Sequence, residues 1–172
     1  MLELNPYARF LPAGTDSRGL DAILASTAGH LAELTEAIGA TRLTTAPAPG
    51  KWTPGEILCH LADCEIAFGF RLRQTLAQDP AHGAHVIQPF DQDRWAASYT
   101  SVTAPQALAA FTALRDWNLI LIRNAPPTAA SKPATHPERG TMTFQTILET
   151  MAGHDLNHLQ QLQKLAESAK QD

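Results

Sequence analysis

The chain has 172 residues, a length typical of one domain with its own core, and we predict a single domain over residues 1–172. Hydrophobic residues make up 44% and charged residues 17%, which excludes a disordered or fibrous protein. The formal net charge is −4 and no run of Lys or Arg occurs, so the sequence lacks the basic surface that nucleic-acid binding requires.

The cellular setting is predicted from the N-terminus, the hydrophobic runs and the two cysteines. The first residues have an acidic side chain at Glu3, a proline at Pro6 and no long apolar stretch, so we expect no signal peptide. No segment approaches the ~18 apolar residues of a membrane span. Cys59 and Cys64 lie five residues apart on a predicted helix and point about 140° apart, which disfavours a disulfide. We therefore expect a cytoplasmic protein without membrane contact.

Two helices are predicted in the first half of the chain. The first runs from about Arg18 to Gly39, with leucine and isoleucine at helical spacing and a glycine at its end. The second has the clearest start signal, in KWTPGEIL (51–58). A threonine at the N-cap, a proline at N1 and a glutamate at N3 predict a capping box there. Its apolar stripe ends before Pro80.

Two further helices are predicted in the second half. The third begins at Thr103, where a glutamine at N3 repeats the capping signal, and it ends at Pro126. The fourth starts near Thr143 and carries isoleucine, leucine and methionine at helical spacing. We find no convincing alternating strand pattern, although AHVIQPF (84–90) is a candidate for a short extended segment.

The connections between these helices are long. About a dozen residues join the first pair, over twenty the second and over fifteen the third, against two to eight in simple bundles. Connections of this length permit a crossover and leave residues to cover one end of a bundle. We therefore predict an all-α fold, a four-helix bundle with a long crossover connection.

Three histidines fall on or beside the predicted inner faces. In HDLNH (154–158), His154 and His158 lie four residues apart and so share a helix face, and His60 flanks the apolar stripe of the second helix. Because a buried unsatisfied polar group costs about 1–3 kcal/mol, one shared metal ion would account for all three imidazoles. The alternative is that each is a core histidine satisfied by neighbouring side chains.

Three neutral histidines with an open position are the ligand count of a catalytic metal site rather than of a closed structural one. Such a set suits Zn, Ni, Fe or Cu, and the spacing does not choose among them. A divalent ion there would turn water or a thiol into a nucleophile at neutral pH.

The sequence also resembles the DinB/YfiT-like superfamily over essentially its whole length. The resemblance lies in four segments that occur in the family's order: WTPGEILCHLADCE (52–65), FDQDRWAASY (90–99), HPERGTMTFQTIL (136–148) and HDLNHLQQL (154–162). It implies a four-helix bundle with a long crossover and a divalent metal on His60, His154 and His158. It further implies a metal-dependent transferase that uses a low-molecular-weight thiol, or a hydrolase, and in many members a homodimer.

Two residues close to His60 in sequence are candidates for a supporting role. Asp63, three residues on, could hydrogen-bond a ligand imidazole and fix its tautomer, or could be a solvated surface acid. Cys64 faces the same way as His60, and a thiolate is a good zinc ligand, but a free cysteine is more often an ordinary buried residue.

The long connections supply other pocket candidates. Trp95 and Tyr99 could form a lid over the bundle end, although packing in a small local core explains them equally well. His136 precedes the fourth helix and could line the pocket or anchor its loop.

Several charged residues complete the set. We expect Glu65 to pack or form a salt bridge, and Asp155 to lie at the surface or cap between helices rather than ligate. Arg71, Arg73 and Arg115 could orient an anionic substrate through paired hydrogen bonds, but an arginine is more often a surface charge.

Three functions remain open on the sequence. The first is a metal-dependent transferase or hydrolase that uses a low-molecular-weight thiol or water against a small electrophile. The second is a non-catalytic bundle that binds a metal or small ligand, since no obvious general base accompanies the histidines. The third is a structural dimerisation bundle whose histidines belong to its core.

Overall fold

A computed structural model describes residues 3–169, and four long helices dominate it. These helices are α1, Ser17–Ile38, α3, Pro54–Ala77, α5, Ala104–Asn124, and α6, Phe144–Ala169. Two short helices lie in the connections: α2 spans Ala40–Leu43 and α4 spans Gln92–Ala96. The predicted four-helix bundle is confirmed. Its long helices begin within a few residues of the predicted starts, and the first three also end near the predicted positions.

Both predicted capping boxes are present in the structure. The Thr53 hydroxyl accepts a hydrogen bond from the Glu56 N–H at 3.1 Å, and the Glu56 carboxylate accepts one from the Thr53 N–H at 2.7 Å. Thr103 and Gln106 form the equivalent pair at the start of α5. Each capping box satisfies backbone donors that a helix end leaves open, so the starts of α3 and α5 are fixed locally.

The bundle has an up-down-down-up order. Glu65 of α3 pairs with Arg115 of α5, and Arg73 pairs with Asn118 further along both helices, so α3 and α5 run in the same direction. On α3 and α6, the His60 ring contacts His158 and the Phe68 ring contacts His154, so these two helices are antiparallel. Helices α1 and α5 are antiparallel as well, because Asp21 pairs with Arg123 whereas Leu24 pairs with Arg115. Two neighbouring parallel helices require the chain to return along the bundle, which is the role of residues 78–103.

A small three-stranded sheet covers one end of the bundle. Strand β1, His85–Val86, pairs parallel with β2, Pro133–His136, and β2 pairs antiparallel with β3, Gly140–Thr143. Of these strands, only the extended segment around β1 is predicted from the sequence. Two strands of four residues are too short to show alternation, and the Gly140 backbone at φ 90° provides the turn between them.

The core divides into two apolar clusters with a polar layer between them. The cluster near the sheet includes Leu24, Phe68 and Met151, whereas the cluster at the opposite end includes Leu58 and Leu162. The three histidines fall between these clusters along α3 and α6. No helix within residues 3–169 combines the length and the apolar character needed to cross a membrane.

Candidate metal centre

The three predicted histidines meet inside the bundle. His60 Nε2 lies 3.0 Å from His154 Nε2, which lies 3.2 Å from His158 Nε2. The ring centroids of His60 and His158 are 5.1 Å apart. All three side chains are buried, with at most 7% of the residue exposed. One nitrogen from each ring therefore points to a common centre.

Local structure sets the direction of each ring. The capped start of α3 places His60 two turns into that helix, and the four-residue spacing on α6 stacks His154 over His158. His158 Nδ1 lies 3.1 Å from Gln161 Oε1. Because an amide oxygen only accepts, Nδ1 carries the proton and Nε2 keeps its lone pair for the centre. This hydrogen bond orients the ring as outer partners of metal-ligating histidines do.

Burial keeps the three imidazoles neutral. It lowers the pKa of His60 to about 4, with the His158 ring acting in the same direction. It also lowers the pKa of His154 well below the ordinary value, assisted by both other histidines and Arg115. The pKa of His158 is lowered by burial as well, although Gln161 and Asp155 oppose the change. All three rings are thus in the form that binds a metal at neutral pH.

The geometry fits a divalent ion. A tetrahedral zinc site with Zn–N distances of about 2.0–2.1 Å separates its nitrogens by about 3.4 Å, close to the two nitrogen–nitrogen distances observed here. Among the described residues, these three are the group whose ligand atoms all lie within 4.8 Å of one another. In addition, His154 Nδ1 is buried without a hydrogen-bond partner, so hydrogen bonding within the protein leaves this ring only partly satisfied.

One side of the cluster faces a cavity of about 250 Å³. His60, Cys64 and His154 reach this cavity, and Tyr7, Phe68, Phe90 and His136 form other parts of its wall. Cys64 Sγ is 3.5 Å from His60 Nε2 and 3.9 Å from His154 Nε2, but it does not belong to the compact ligand group. Burial raises the pKa of the Cys64 thiol, assisted by Asp155 and Glu65.

A second cavity, of about 600 Å³, reaches the cluster from the side of His158. Trp52, Gln92 and Gln161 also line it, and the Trp52 ring lies 4.9 Å from the His60 ring. Gln92 lines both cavities, so the first turn of α4 stands between them. The cluster is thus approached from two directions.

The other predicted site residues are placed as follows. The Asp63 carboxylate accepts a hydrogen bond from the Tyr99 hydroxyl at 2.6 Å and lines neither cavity. The Tyr99 ring is buried in the apolar cluster at the end of the bundle opposite the sheet. The Trp95 ring lies 4.7 Å from the ring of Phe90, a cavity residue, but Trp95 does not itself line the cavity. His136 does line it, and its Nδ1 accepts the N–H of residue 138 at 3.2 Å.

A buried charge network crosses the bundle at the level of the histidines. Arg115 lies 2.6 Å from Glu65 Oε1 and 2.7 Å from Asp155 Oδ2, and it donates to the Leu24 carbonyl. The Thr27 hydroxyl donates to the same Asp155 oxygen. The expected salt bridge of Glu65 is confirmed, whereas the expectation of a surface Arg115 is wrong. Of the two alternatives for Asp155, the surface position is wrong, and its side chain instead bonds between helices. Arg115 and Asp155 are both at least 98% buried because four helices enclose them.

Sequence reasoning missed several residues that surround the cluster: Tyr7, Trp52, Arg139 and Gln161. Gln161 could have been found, because it follows His158 by three residues and so lies on the same helix face. Tyr7 and Arg139 belong to irregular segments, and only the folded chain brings them to the cavity.

Comparison with known proteins places this chain among similar bundles. The model of the DinB superfamily matches residues 23–162. A protein of Oceanobacillus iheyensis named "Putative metal-dependent hydrolase" is 27% identical over 125 residues, covering 72% of this chain and 70% of that protein. YfiT from Bacillus subtilis, described as "a probable metal-dependent hydrolase with an unusual four-helix bundle topology", shares 19% identity and a TM-score of 0.80, covering 92% of this chain and 90% of that one. The second likeness shows a shared fold alone.

Proposed function

The chain belongs to the DinB superfamily, and we propose that it is a metal-dependent hydrolase or thiol transferase acting on a small electrophilic molecule. Its ligands would be His60, His154 and His158. The observation that carries the proposal is the meeting of three buried, neutral imidazole nitrogens beside an accessible cavity. The names of the relatives favour hydrolysis, and the family resemblance adds a low-molecular-weight thiol as the alternative to water.

A bound divalent ion supplies Lewis acidity, which lowers the pKa of water or a thiol and makes it a nucleophile at neutral pH. The chain's own residues hold and surround that centre. Gln161 keeps the proton of His158 on Nδ1, away from the centre. Tyr7, Phe68 and Phe90 line the cavity and limit its exposure to water.

His136 is the cavity side chain that we assign to proton handling. Its Nδ1 accepts a backbone N–H, so the neutral ring carries its proton on Nε2. Burial lowers the pKa of His136, and the charges of Arg139 and Arg71 act in the same direction. The ring is therefore neutral at pH 7, where it can donate this proton in a hydrogen bond to a substrate.

The proposed setting is a single cytoplasmic domain that works as a homodimer without nucleic acid. Cys59 and Cys64 are both free thiols, which suits a reducing compartment. The net charge of −4 disfavours nucleic acid. Ile66, Phe70 and Trp117 each expose half or more of their surface on α3 and α5, which supports pairing of two copies through these helices. Light scattering of the purified protein tests the dimer.

The first experiment measures metal content. Elemental analysis of protein purified without a tag should find about one equivalent of Zn, Ni or Fe per chain. His154→Ala should lose it, whereas His30→Ala, which removes an exposed histidine of α1, should keep it. Circular dichroism of both variants establishes that they are folded, and His158→Gln provides a second, milder removal of a ligand. Full metal content in both His154→Ala and His158→Gln would contradict the proposal that these histidines bind the metal.

The second experiment separates catalysis from binding. The metal-loaded protein is assayed with ester and amide substrates, and with chlorodinitrobenzene and a panel of small thiols. Turnover that is lost in His154→Ala supports an enzyme and identifies water or thiol as the nucleophile. Metal binding without turnover of any of these substrates would favour the non-catalytic binding protein instead.

A further inference from the structure

The cavity beside the histidine cluster holds an arginine without an acidic partner. Among the described residues, no carboxylate lies within ion-pair distance of Arg71. In the part of the chain that the structure describes, the one hydrogen bond of the Arg71 side chain reaches the Gln88 carbonyl at 3.4 Å, near the limit for such a bond. Its guanidinium lies over the Phe68 and Phe90 rings, at 5.7 and 5.6 Å from their centroids.

The environment of Arg71 disfavours an unpaired charge. Burial lowers the pKa of Arg71, and the nearby charge of Arg139 acts in the same direction. Arg139 also lines the cavity and has no acidic partner among the described residues, because its bond is to the Glu3 carbonyl. Two cations therefore face one small cavity that also contains Glu138 as its single acidic residue. A partly buried, unpaired guanidinium is costly unless an anion compensates it.

The position of Arg71 relates it directly to the histidine cluster. Cys64 and Arg71 are seven residues apart on α3, so they share a face about 10 Å apart along the helix. Side chains on a helix lean toward its N-terminus, and Arg71 therefore leans toward Cys64 and His60. All three line the same cavity. A molecule bound at the guanidinium would extend toward the open side of the cluster.

We propose that Arg71, assisted by Arg139, binds the anionic oxygen group of the substrate, a carboxylate or a phosphate. The inference rests on the proposed function, since it takes the cluster as the reacting end of the same cavity. A guanidinium fork matches two such oxygens with parallel hydrogen bonds. The cavity of about 250 Å³ lies below the 300–1,000 Å³ typical of drug-sized ligands, so the substrate is a small acid.

The test is equilibrium binding, so that its result does not depend on turnover. Succinate, inorganic phosphate and neutral succinamide are titrated into the metal-free and the zinc-loaded protein, and chemical shifts, including that of the Arg71 Nε–H, are followed by NMR. Wild type should bind succinate or phosphate at least about tenfold more tightly than succinamide. The tighter of the two anions identifies a carboxylate or a phosphate substrate.

Variants assign the binding to Arg71. Arg71→Gln should reduce anion affinity to that of succinamide, and Arg71→Lys should retain an intermediate affinity because it keeps the charge but loses the fork. The matched control is Arg18→Gln, which removes the same charge from a side chain that is 94% exposed, and it should bind as wild type does. Glu138→Gln should strengthen binding, because it removes the acidic group of the cavity.

The outcomes are distinct. Equal anion affinity in wild type and Arg71→Gln, no preference over succinamide, or no saturable binding in either protein form would overturn the inference. An Arg71-dependent anion site in a protein that fails to bind metal would leave the inference standing and refute the proposed function. Metal-dependent turnover of neutral substrates alone, without anion binding, would refute the inference and leave the proposed function standing.

Discussion

Replacing Arg115 by methionine tests whether the buried charge network holds the bundle together. The guanidinium pairs with Glu65 and Asp155 at 2.6 and 2.7 Å, and all three side chains are at most 3% exposed. Arg115→Met keeps much of the volume but leaves two buried carboxylates without their cation. Breaking a buried pair by removing one partner destabilises a protein by about 3–5 kcal/mol, a large part of the 5–15 kcal/mol of a typical domain.

The matched control lies on the same helix. Arg123 forms an ion pair with Asp21 at the same distance, 2.7 Å, but both side chains are at least one-third exposed. Solvent screens such a pair, so Arg123→Met should change stability far less. Urea unfolding of both variants at pH 7, compared through the midpoint and the slope, gives the two differences in free energy.

The unfolding free energy that Arg115→Met loses relative to wild type, its stability deficit, should depend on pH in a way that identifies the cause of the loss. Burial already raises the pKa of Glu65, and without the cation that pKa should rise further in the folded variant, because an uncompensated buried carboxylate favours its neutral form. The deficit should therefore shrink as the pH falls from 7 toward 4. A loss below about 1 kcal/mol, or one equal to that of the Arg123 control, would refute the claim that this network stabilises the fold.

Two further predictions concern the histidines and the glycines. Burial lowers the pKa of His60 to about 4, so below about pH 6.5 the unfolded chain binds a proton that the folded chain does not. This group should therefore cost the metal-free protein about 1.4 kcal/mol of unfolding free energy per pH unit as the pH falls toward 4, measured by urea unfolding with a chelator. The free energy of His60→Asn should depend less on pH. Equal pH dependence in the two proteins would contradict a buried, neutral His60. Gly153→Ala should lower the melting temperature, because its Cβ would lie 2.5 Å from the Tyr7 carbonyl oxygen. Gly29→Ala, whose added Cβ would meet nothing within 4 Å, should raise the melting temperature. A raised melting temperature in both glycine variants would contradict the close packing of Tyr7 on α6.

The helices and the candidate histidines were predictable because local rules determine them. The capping signals at Thr53 and Thr103 are satisfied by residues three positions on, and the spacing of His154 and His158 fixes their common face. His60 could be added because it flanks an apolar stripe. Each of these features depends on the periodicity of one helix, which a sequence shows directly.

The surroundings of the cluster depend on tertiary structure and could not be found in this way. Arg115 looks like a surface charge in the sequence, and it is buried because Glu65 and Asp155 reach it from two other helices. Tyr7 and Arg139 reach the cavity from irregular segments that no periodicity describes. The strands β2 and β3 are set by their mutual pairing rather than by an alternating pattern.

The order of the helices connects the fold to the cavity. Because α3 and α5 are parallel neighbours, residues 78–103 must return along the bundle, and they pass the end where the sheet lies. On the way this segment contributes Ile87, Phe90 and Gln92 to the cavity wall. A simple antiparallel bundle would join these helices by a tight turn and leave the histidine cluster without that wall. The long crossover is therefore a topological requirement that also builds one wall of the cavity, and changes in its sequence can alter the cavity while α3 and α6 keep the three histidines in place.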